Sequence, residues 1–243
     1  MKKDLQSYER HNGEFNTELN SHKATLKIIE GYDNNKQFES LGFEIALNIT
    51  KNKPKTLIDI GSGTGWLLRK MSPHFEKVIG IEPSGAAMNT ALKINSGNKN
   101  VSVVNMDMVD GLEYLKIQDP VFLTTSTVLN HIEDYYVAEF LNKLNNLPEG
   151  SVLFFDERYG KNKNWNMWHV RSKDWWRNNL NKWQIVFLDI ECSGYPSGIY
   201  GVKTNLKIKN HSDNILQKII WEISYVFYFS HRLINKIWRI VKK

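Results

Sequence analysis

The stretch DIGSGTG, residues 59–65, decides the fold of this chain. It completes the short β-branched run TLIDI (56–60), which predicts a strand, and leads into WLLRKM (66–71), which predicts a helix. Glycine lacks a Cβ, so the backbone can turn sharply between the two elements and approach a ligand closely. The helix that follows offers free backbone N–H groups to an anion. The stretch therefore predicts a ligand site at the carboxyl edge of an α/β sheet.

The spacing of the glycines distinguishes between cofactor classes. A dinucleotide fingerprint requires G-x-G-x-x-G or G-x-G-x-x-A. Counted from Gly61 and Gly63, its third position here is Trp66, which is too large where close helix–strand packing needs a small residue. The chain instead has the pattern D-x-G-x-G-x-G, which begins at Asp59 and ends at Gly65. This spacing disfavours a nicotinamide-dependent oxidoreductase.

Strand and helix patterns alternate downstream of this stretch. Further strands are predicted at 77–82, 101–107, 121–128, 151–157, 184–190 and 198–204. Helices are predicted at 85–94 after a Ser84 N-cap, at 111–117, at 135–147, and from Lys173 after a Ser172 N-cap. The first five strands alternate with helices, which predicts a parallel sheet that is covered on both faces.

Composition is that of one globular core with small additions. Of the 243 residues, 41% are hydrophobic and 24% are charged, which is ordinary for a folded domain. The single cysteine, Cys192, excludes an internal disulfide framework and a zinc site built on cysteine pairs. The first fifteen residues contain no apolar stretch of the secretory type. We therefore expect a cytoplasmic protein.

The D-x-G-x-G-x-G stretch, with acids at the next two predicted strand tips, resembles motif I and its neighbours in class I, Rossmann-like, S-adenosylmethionine-dependent methyltransferases of the small-molecule type. The resemblance covers about residues 50–205. It implies a doubly wound, mostly parallel seven-stranded sheet with an antiparallel last strand, inserted between strands 5 and 6, and S-adenosylmethionine as cofactor. It also implies a set of cofactor-binding residues: Asp59, Gly61, Ser62, Gly63, Gly65, Glu82, Pro83, Asp107 and Met108.

The two acidic strand tips have distinct expected roles. Glu82 ends the second predicted strand, where a carboxylate can accept both hydroxyl protons of a ribose. Asp107 ends the third, and in the resembling family an acid there meets the adenine amine, with Met106 or Met108 as an apolar neighbour. The alternatives are a solvated carboxylate at Glu82 and a loop or N-cap role for Asp107.

The segment TSTVLNHIED after the fourth predicted strand bears on the acceptor. The resemblance places it beside the sulfonium methyl, so His131 is the candidate base or orienting residue, because histidine exchanges protons near neutral pH. Capping the next helix and packing on the cofactor are the alternatives. The segment lacks an NPPY-type motif, which argues against methylation of a nucleic-acid base amine. Asp156 and Glu157 lack a third ligand, so no metal is predicted.

An insertion predicted at 158–183 would build the acceptor pocket, and five tryptophans lie between residues 164 and 183. Its candidate substrate-binding residues are Tyr159, His169 and Arg171. The arginine fork could bind a phosphate or carboxylate, and aromatic faces suit sugar rings. The alternative is a tryptophan-rich helix packed on the sheet.

Three segments are predicted: a helical N-terminal cap (1–50), the core (51–208) and a basic amphipathic helix (209–243). The net charge of +6 is concentrated at residues 203–243, which hold nine Lys or Arg and two acids. Because the core itself is near neutral, we expect no nucleic-acid partner. Apolar residues with a 3.6-residue period at 213–243 fit a membrane surface, a homodimer contact or packing on the core.

These patterns together predict methyl transfer to a small polar acceptor. A sugar or phosphate-bearing intermediate of a bacterial surface polysaccharide is one acceptor class that fits, and contact with the inner face of the membrane would accompany it. Two alternatives of other kinds stay open: a non-catalytic partner or scaffold protein with the same fold, and an RNA methyltransferase recruited through the basic tail.

Overall fold

The computed structural model describes residues 46–48, 50, 53–161, 163–165, 168–192 and 195–204. The predicted N-terminal cap, apart from the helical residues 46–48 and residue 50, lies outside these ranges, and so does the predicted C-terminal helix. Among the described residues, none of the helices has the length and hydropathy to cross a bilayer.

A seven-stranded mixed sheet forms the centre of the described region. The described region contains nine strands, of which seven form this sheet and two form a separate hairpin. In chain order they are β1 (Thr56–Ile60), β2 (Lys77–Ile81), β3 (Val101–Val104), β4 (Val121–Ser126), β5 (Val152–Arg158), β6 (Lys163–Trp165), β7 (Trp168–Val170), β8 (Trp183–Cys192) and β9 (Tyr195–Lys203). The sheet order is β3-β2-β1-β4-β5-β9-β8, and β6 pairs only with β7. The first five strands are parallel, whereas β9 is antiparallel to both β5 and β8. The predicted sheet, with its last strand inserted beside the fifth, is confirmed.

Five helices connect these strands: α1 (Trp66–Met71), α2 (Gly85–Ile94), α3 (Met108–Leu115), α4 (Asp134–Leu144) and α5 (Lys173–Asn179). A short 3₁₀ helix at Leu129–His131 follows β4. The hydroxyls of Ser84 and Ser172 accept hydrogen bonds from backbone N–H groups in the first turns of α2 and α5. Both predicted N-caps are confirmed, and each fixes where its helix begins.

Side chains alternate between two apolar layers, one on each face of the sheet. In β1, Leu57 packs into one cluster with Leu68 of α1, while Ile58 packs into the other with Phe140 of α4. All four of these residues are fully buried. The prediction that both faces are covered is confirmed.

The structure makes two corrections to the predicted elements, the first at the junction of the third strand and the helix after it. The third strand ends at Val104 instead of residue 107, because the Asn105 amide donates to the carbonyls of Glu82 and Pro83 and draws the chain out of the ladder. Asp107 then caps α3, which begins at residue 108 instead of 111. The second correction concerns the insertion, which contains the small β6–β7 hairpin before α5.

Candidate functional site

A cleft lies at the carboxyl edge of the sheet, where the glycine-rich stretch faces the ends of β4 and β5. It is lined by Asp59, residues 61–64, Trp66, Leu67, residues 124–127, Phe154 and Asp156. Four of the predicted cofactor residues therefore meet in one place: Asp59, Gly61, Ser62 and Gly63. This is the edge at which open α/β sheets bind ligands.

The glycine-rich loop depends on backbone conformations that side chains disfavour. Gly61 and Gly63 have φ angles of 67° and 53°. A Cβ on Gly61 would lie 2.5 Å from Cγ2 of Val128, whereas a Cβ on Gly63 would meet nothing within 4 Å. Gly61 is therefore needed for packing against the loop after β4, and Gly63 leaves its backbone open to the cleft.

Glu82 connects this loop to the tip of β2. One carboxylate oxygen accepts from the Gly63 N–H and the other from the Ser84 N–H, both at 2.8 Å. The carboxylate is 7% exposed. Burial raises its pKa, and the two backbone hydrogen bonds partly oppose that rise. Pro83 lies between Glu82 and Ser84 in the chain and is not among the residues that line the cleft.

Asp107 and Met108 lie at the tip of the neighbouring strand. One oxygen of Asp107 accepts from the N–H groups of Val109 and Asp110 at 2.8 and 3.0 Å, which is the N-cap arrangement. The carboxylate also takes a hydrogen bond from Tyr136, and burial together with this contact raises the pKa of that phenol. Met108 is buried in the apolar layer under α3. Neither Asp107 nor Met108 lines the cleft.

His131 lies in the 3₁₀ helix after β4, on a loop anchored by a buried carboxylate. Glu157 accepts from the N–H groups of Val128, Leu129 and Asn130 at 2.9, 3.0 and 3.2 Å. It also accepts from the Thr125 hydroxyl. Burial raises the pKa of Glu157 to about 7, against the lowering effect of its donors. Glu157 therefore sets the path of the His131 loop without touching the cleft.

Arg171 holds the same loop from its other side. The guanidinium, 2% exposed, donates at 2.7 Å to the Leu129 carbonyl and also to the Ile132 carbonyl. Its Nε donates to Asp134 at 2.8 Å. Burial lowers the pKa of Arg171, and the nearby Asp134 charge opposes that fall. The donors of the predicted acceptor fork are thus directed at the protein itself.

The other predicted acceptor residues lie beside Arg171. His169 Nε2 is 3.5 Å from a carboxylate oxygen of Glu133, and Tyr159 is fully buried with its hydroxyl 3.4 Å from the Ser197 carbonyl. Tyr159 and Arg171 also form a backbone bridge. Arg171 and His169 lie against the His131 loop and the start of α4, Tyr159 is joined to Arg171, and none of the three lines the cleft.

Two features of the cleft had not been assigned a role. Asp156, 8% exposed, lines the cleft and accepts from the Ser197 hydroxyl at 3.1 Å. Thr127 adopts φ 57°, which is strained for a β-branched residue. The position of Asp156 at a strand tip and the antiparallel strand beside it were predicted from the sequence, but the register that brings Ser197 to Asp156 was not.

Among the described residues, no group of three His, Cys, Asp or Glu side chains is arranged to hold a metal ion. The cleft chemistry is instead that of backbone N–H groups, hydroxyls and two carboxylates. Such groups suit a ligand with hydroxyl and ammonium functions.

Comparison with known proteins supports the same reading of the fold. The model of a family described as "Methyltransferase domain" matches residues 35–188, which is more than half of the chain. An uncharacterized methyltransferase of Geobacillus kaustophilus is 29% identical over 137 residues. That match covers 55% of this chain, which spans only 61% of the length of the relative.

Two solved structures have the same architecture. A structure of a Leishmania major protein described as a SAM-dependent methyltransferase aligns with TM-score 0.64 and 13% identity, covering 81% of this chain and 83% of that one. The sugar N-methyltransferase KedS8 from a Streptoalloteichus species aligns with TM-score 0.58 and 14% identity, covering 73% of this chain and 92% of that one. At these identities the likeness shows a shared fold.

Proposed function

This chain belongs to the methyltransferase domain family, and we propose that it transfers the methyl group of S-adenosylmethionine to a small polar acceptor, with a sugar as the acceptor class. The family match confirms the resemblance drawn from DIGSGTG. The observation that carries the proposal is the pairing of Glu82 with Gly63: a buried carboxylate at the tip of β2 meets the open backbone of the glycine-rich loop at 2.8 Å.

The residues present fit S-adenosylmethionine. The space over Gly63 is open, so a ligand can approach the backbone there. Glu82 binds the N–H of the cleft residue Gly63 and can exchange that bond for ribose hydroxyls, and Asp59 lines the cleft itself. We assign cofactor binding to Asp59, Gly61, Ser62, Gly63 and Gly65, with Glu82 and Pro83 at the tip of β2 and with Asp107 and Met108 at the next tip. The Leishmania major neighbour is described as SAM-dependent.

The work of the protein in this reaction is alignment. S-adenosylmethionine supplies a methyl group on a cationic sulfur. The glycine-rich loop and Glu82 are proposed to hold the cofactor, and residues 124–127 form the opposite wall of the cleft. Holding two reactants in line removes much of the entropic barrier to a displacement. His131, on the loop anchored by Glu157, is the proposed base or orienting residue.

Two observations support a sugar as the acceptor: the residues of the insertion and one structural neighbour. KedS8, with the same fold, is a sugar N-methyltransferase. Tyr159, His169 and Arg171 are proposed to shape the acceptor side by fixing the His131 loop. A bacterial surface polysaccharide intermediate remains the specific acceptor that we propose.

The proposal includes the domain organisation: a cap at 1–50, a core at 51–208 and a basic helix at 209–243. We propose that the enzyme is cytoplasmic and that the basic helix binds it to an anionic membrane. Its support is the basic, amphipathic sequence pattern. Flotation of the full chain and of a chain ending at residue 208 with phosphatidylglycerol vesicles tests it. Recovery of both at the same level contradicts it, and a concentration-dependent dimer lost on truncation would favour the homodimer contact.

Calorimetric titration tests the cofactor assignment. We expect wild-type protein to bind S-adenosylmethionine and S-adenosylhomocysteine but not NADH, and Asp59→Ala to lose both ligands. Asp119→Ala is the matched control, because Asp119 is exposed and precedes β4 at the opposite edge of the sheet. Failure of wild-type protein to bind either sulfur ligand would overturn the proposal in favour of a non-catalytic scaffold. Methyl incorporation into RNA but not into sugars would favour an RNA methyltransferase.

A further inference from the structure

A buried amide holds the glycine-rich loop from the side away from the cleft, and we propose that this residue, Asn95, positions the loop for cofactor binding. The inference rests on the proposed function, because it concerns the loop that is assigned to the cofactor. Gly65 ends that loop, yet it is not among the residues that line the cleft. The Asn95 amide, 30 residues away in the sequence, donates to the Gly65 carbonyl at 3.1 Å. Gly65 is therefore the point at which the loop is attached to α2.

Gly65 has the backbone conformation and the small size that this contact requires. Its φ angle is 76°, in the left-handed region that favours glycine. A Cβ on Gly65 would lie 2.7 Å from the Cβ of Ala91 and 2.8 Å from Nδ2 of Asn95. The last glycine of the loop thus permits close approach to α2, where Asn95 reaches its carbonyl.

Every polar atom of the Asn95 side chain is hydrogen-bonded. Asn95 is the C-cap residue of α2 and is 4% exposed. Its amide nitrogen donates to the carbonyls of Gly65 and, at 2.9 Å, of Ala91, while its oxygen accepts from the Asn98 amide at 3.2 Å. Because two carbonyls face the nitrogen, the orientation of the amide is determined. A fully satisfied buried network of this kind is rigid and specifies one arrangement of the chain.

The contact reaches the cleft through the backbone of the loop. The Gly65 N–H donates to the Ser62 carbonyl at 2.9 Å, which closes a turn. Residues 62–64 of that turn line the cleft, and the Gly63 N–H donates to Glu82. A displacement of Gly65 would therefore move the residues that line the cleft and disturb the Gly63–Glu82 hydrogen bond.

Helix α2 contacts the glycine-rich loop through both of its ends. At its start, the Ser84 N–H donates to the Glu82 carboxylate that also binds Gly63, and at its end Asn95 donates to Gly65. Without the second contact the loop has access to other conformations. The apparent affinity for a ligand falls in proportion to the fraction of molecules that remain competent to bind. We therefore expect Asn95 to determine cofactor affinity although it does not line the cleft.

Calorimetric titration of Asn95→Ala with S-adenosylhomocysteine tests the inference. We expect the dissociation constant to rise about fivefold, the factor that corresponds to the net contribution of one hydrogen bond. Asn145→Ala is the matched control. Asn145 is the C-cap residue of α4, is 6% exposed and donates its amide to the Asn179 carbonyl, 34 residues away, but neither residue lines the cleft. Both variants should lower the melting temperature, whereas Asn145→Ala should leave the dissociation constant unchanged.

Two further measurements separate positioning of the loop from a general structural role. In Asn95→Ala the association rate of S-adenosylhomocysteine should fall by the same factor while the dissociation rate stays unchanged, because only the competent fraction differs. In the ligand-free protein, the amide hydrogens of Gly63 and Gly65 should exchange faster in Asn95→Ala than in Asn145→Ala, because the loop opens locally.

Three results would overturn the inference. One is an unchanged dissociation constant in Asn95→Ala, and another is equal weakening in Asn95→Ala and Asn145→Ala, which would reflect a general loss of stability. The third requires no variant to fold: a wild-type Gly65 amide that exchanges as fast as an unstructured peptide. Failure of wild-type protein to bind S-adenosylhomocysteine would instead contradict the proposed function, and the exchange rates would still show whether Asn95 holds the loop.

Discussion

The two halves of the carboxyl edge are built in different ways. In the glycine-rich half, Glu82 accepts hydrogen bonds from the backbone N–H groups of Gly63, 19 residues away in the sequence, and of Ser84, two residues away. In the insertion half, Arg171 reaches Leu129 over 42 residues, and a buried carboxylate completes the anchoring of the same loop from the opposite side. The first half follows from local backbone geometry, whereas the second depends on buried charges brought together by the fold.

This difference decides where each half is vulnerable. Backbone hydrogen bonds to a strand tip survive most side-chain changes, so the stability of the glycine-rich half should be most sensitive at its glycines and at Glu82. A loop fixed by two buried side chains, Arg171 and Glu157, should lose much of its stability when one of them is removed, because the backbone groups that it held are then buried without partners. The predictions below test this contrast, from the largest expected effect to the smallest.

Arg171→Met should produce the largest loss of stability. It removes the donors of the Leu129 and Ile132 carbonyls, and we expect the free energy of unfolding to fall by about 3 to 5 kcal/mol. Arg177→Met is the matched control, because Arg177 pairs with the exposed Asp174 one turn away, and its loss should be below about 1 kcal/mol. Urea denaturation measures both. Equal losses would show that the insertion half is not held by its buried charge.

Glu157 should impose a pH dependence on stability. Its pKa of about 7 in the folded chain exceeds the ordinary value of 4.5, so the folded protein keeps a proton that the unfolded chain releases between those values. The contribution to stability is full below pH 4.5 and is lost as the pH rises to 7, with a slope on the order of 1 kcal/mol per pH unit.

Glu157→Gln should flatten that slope, as measured by urea denaturation at several pH values from 4.5 to 7.5. Burial also raises the pKa of Glu82, which adds a slope of the same sign, so the relevant quantity is the difference between wild type and variant. Glu113→Gln, at an exposed carboxylate paired with Lys143, should leave the slope unchanged. If the difference in free energy of unfolding between wild type and Glu157→Gln does not vary with pH, Glu157 is not the group whose titration changes stability.

Most of the fold could be predicted from the sequence, and the reason is locality. The run TLIDI, the N-cap at Ser84 and the glycine spacing each act over a few residues, and each gave the correct element. The third strand was predicted too long because Asn105 turns the chain toward the neighbouring strand tip, which is a tertiary contact. The hairpin at 163–170 was missed because its strands are only three residues long.

The site was less predictable on its acceptor side. Arg171 was predicted to bind an acceptor phosphate or carboxylate as a fork, and nothing within its own segment shows that the loop after β4 offers it carbonyl groups. Glu157 and Asp156 are neighbours at one strand tip, yet alternation along β5 directs one toward the His131 loop and the other into the cleft. A strand pattern predicts the alternation, but the partner on each side depends on the topology.

Two glycine substitutions should separate packing from ligand access within the glycine-rich half. Both glycines have positive φ, which costs about 1 to 2 kcal/mol with a side chain. Gly61→Ala adds a clash with Val128, so we expect about 2 to 3 kcal/mol of lost stability there and only about 1 kcal/mol for Gly63→Ala. S-adenosylhomocysteine affinity should nevertheless fall in Gly63→Ala, because its methyl group projects into open space over the cleft. Thermal melts and calorimetry distinguish the two effects.

The smallest effects should come from the two serine N-caps, one in each half. Ser84 accepts from the Ala87 N–H at 3.3 Å and Ser172 from the Trp175 N–H at 3.1 Å, so Ser84→Ala and Ser172→Ala should each cost about 1 kcal/mol. Only Ser84→Ala should weaken S-adenosylhomocysteine binding, by a few-fold, because loss of this cap loosens the start of α2, where the retained backbone N–H of residue 84 holds Glu82. If Ser172→Ala weakened S-adenosylhomocysteine binding as much as Ser84→Ala, the two halves would act as one cooperative unit in ligand binding. They would then differ in structure but not in function.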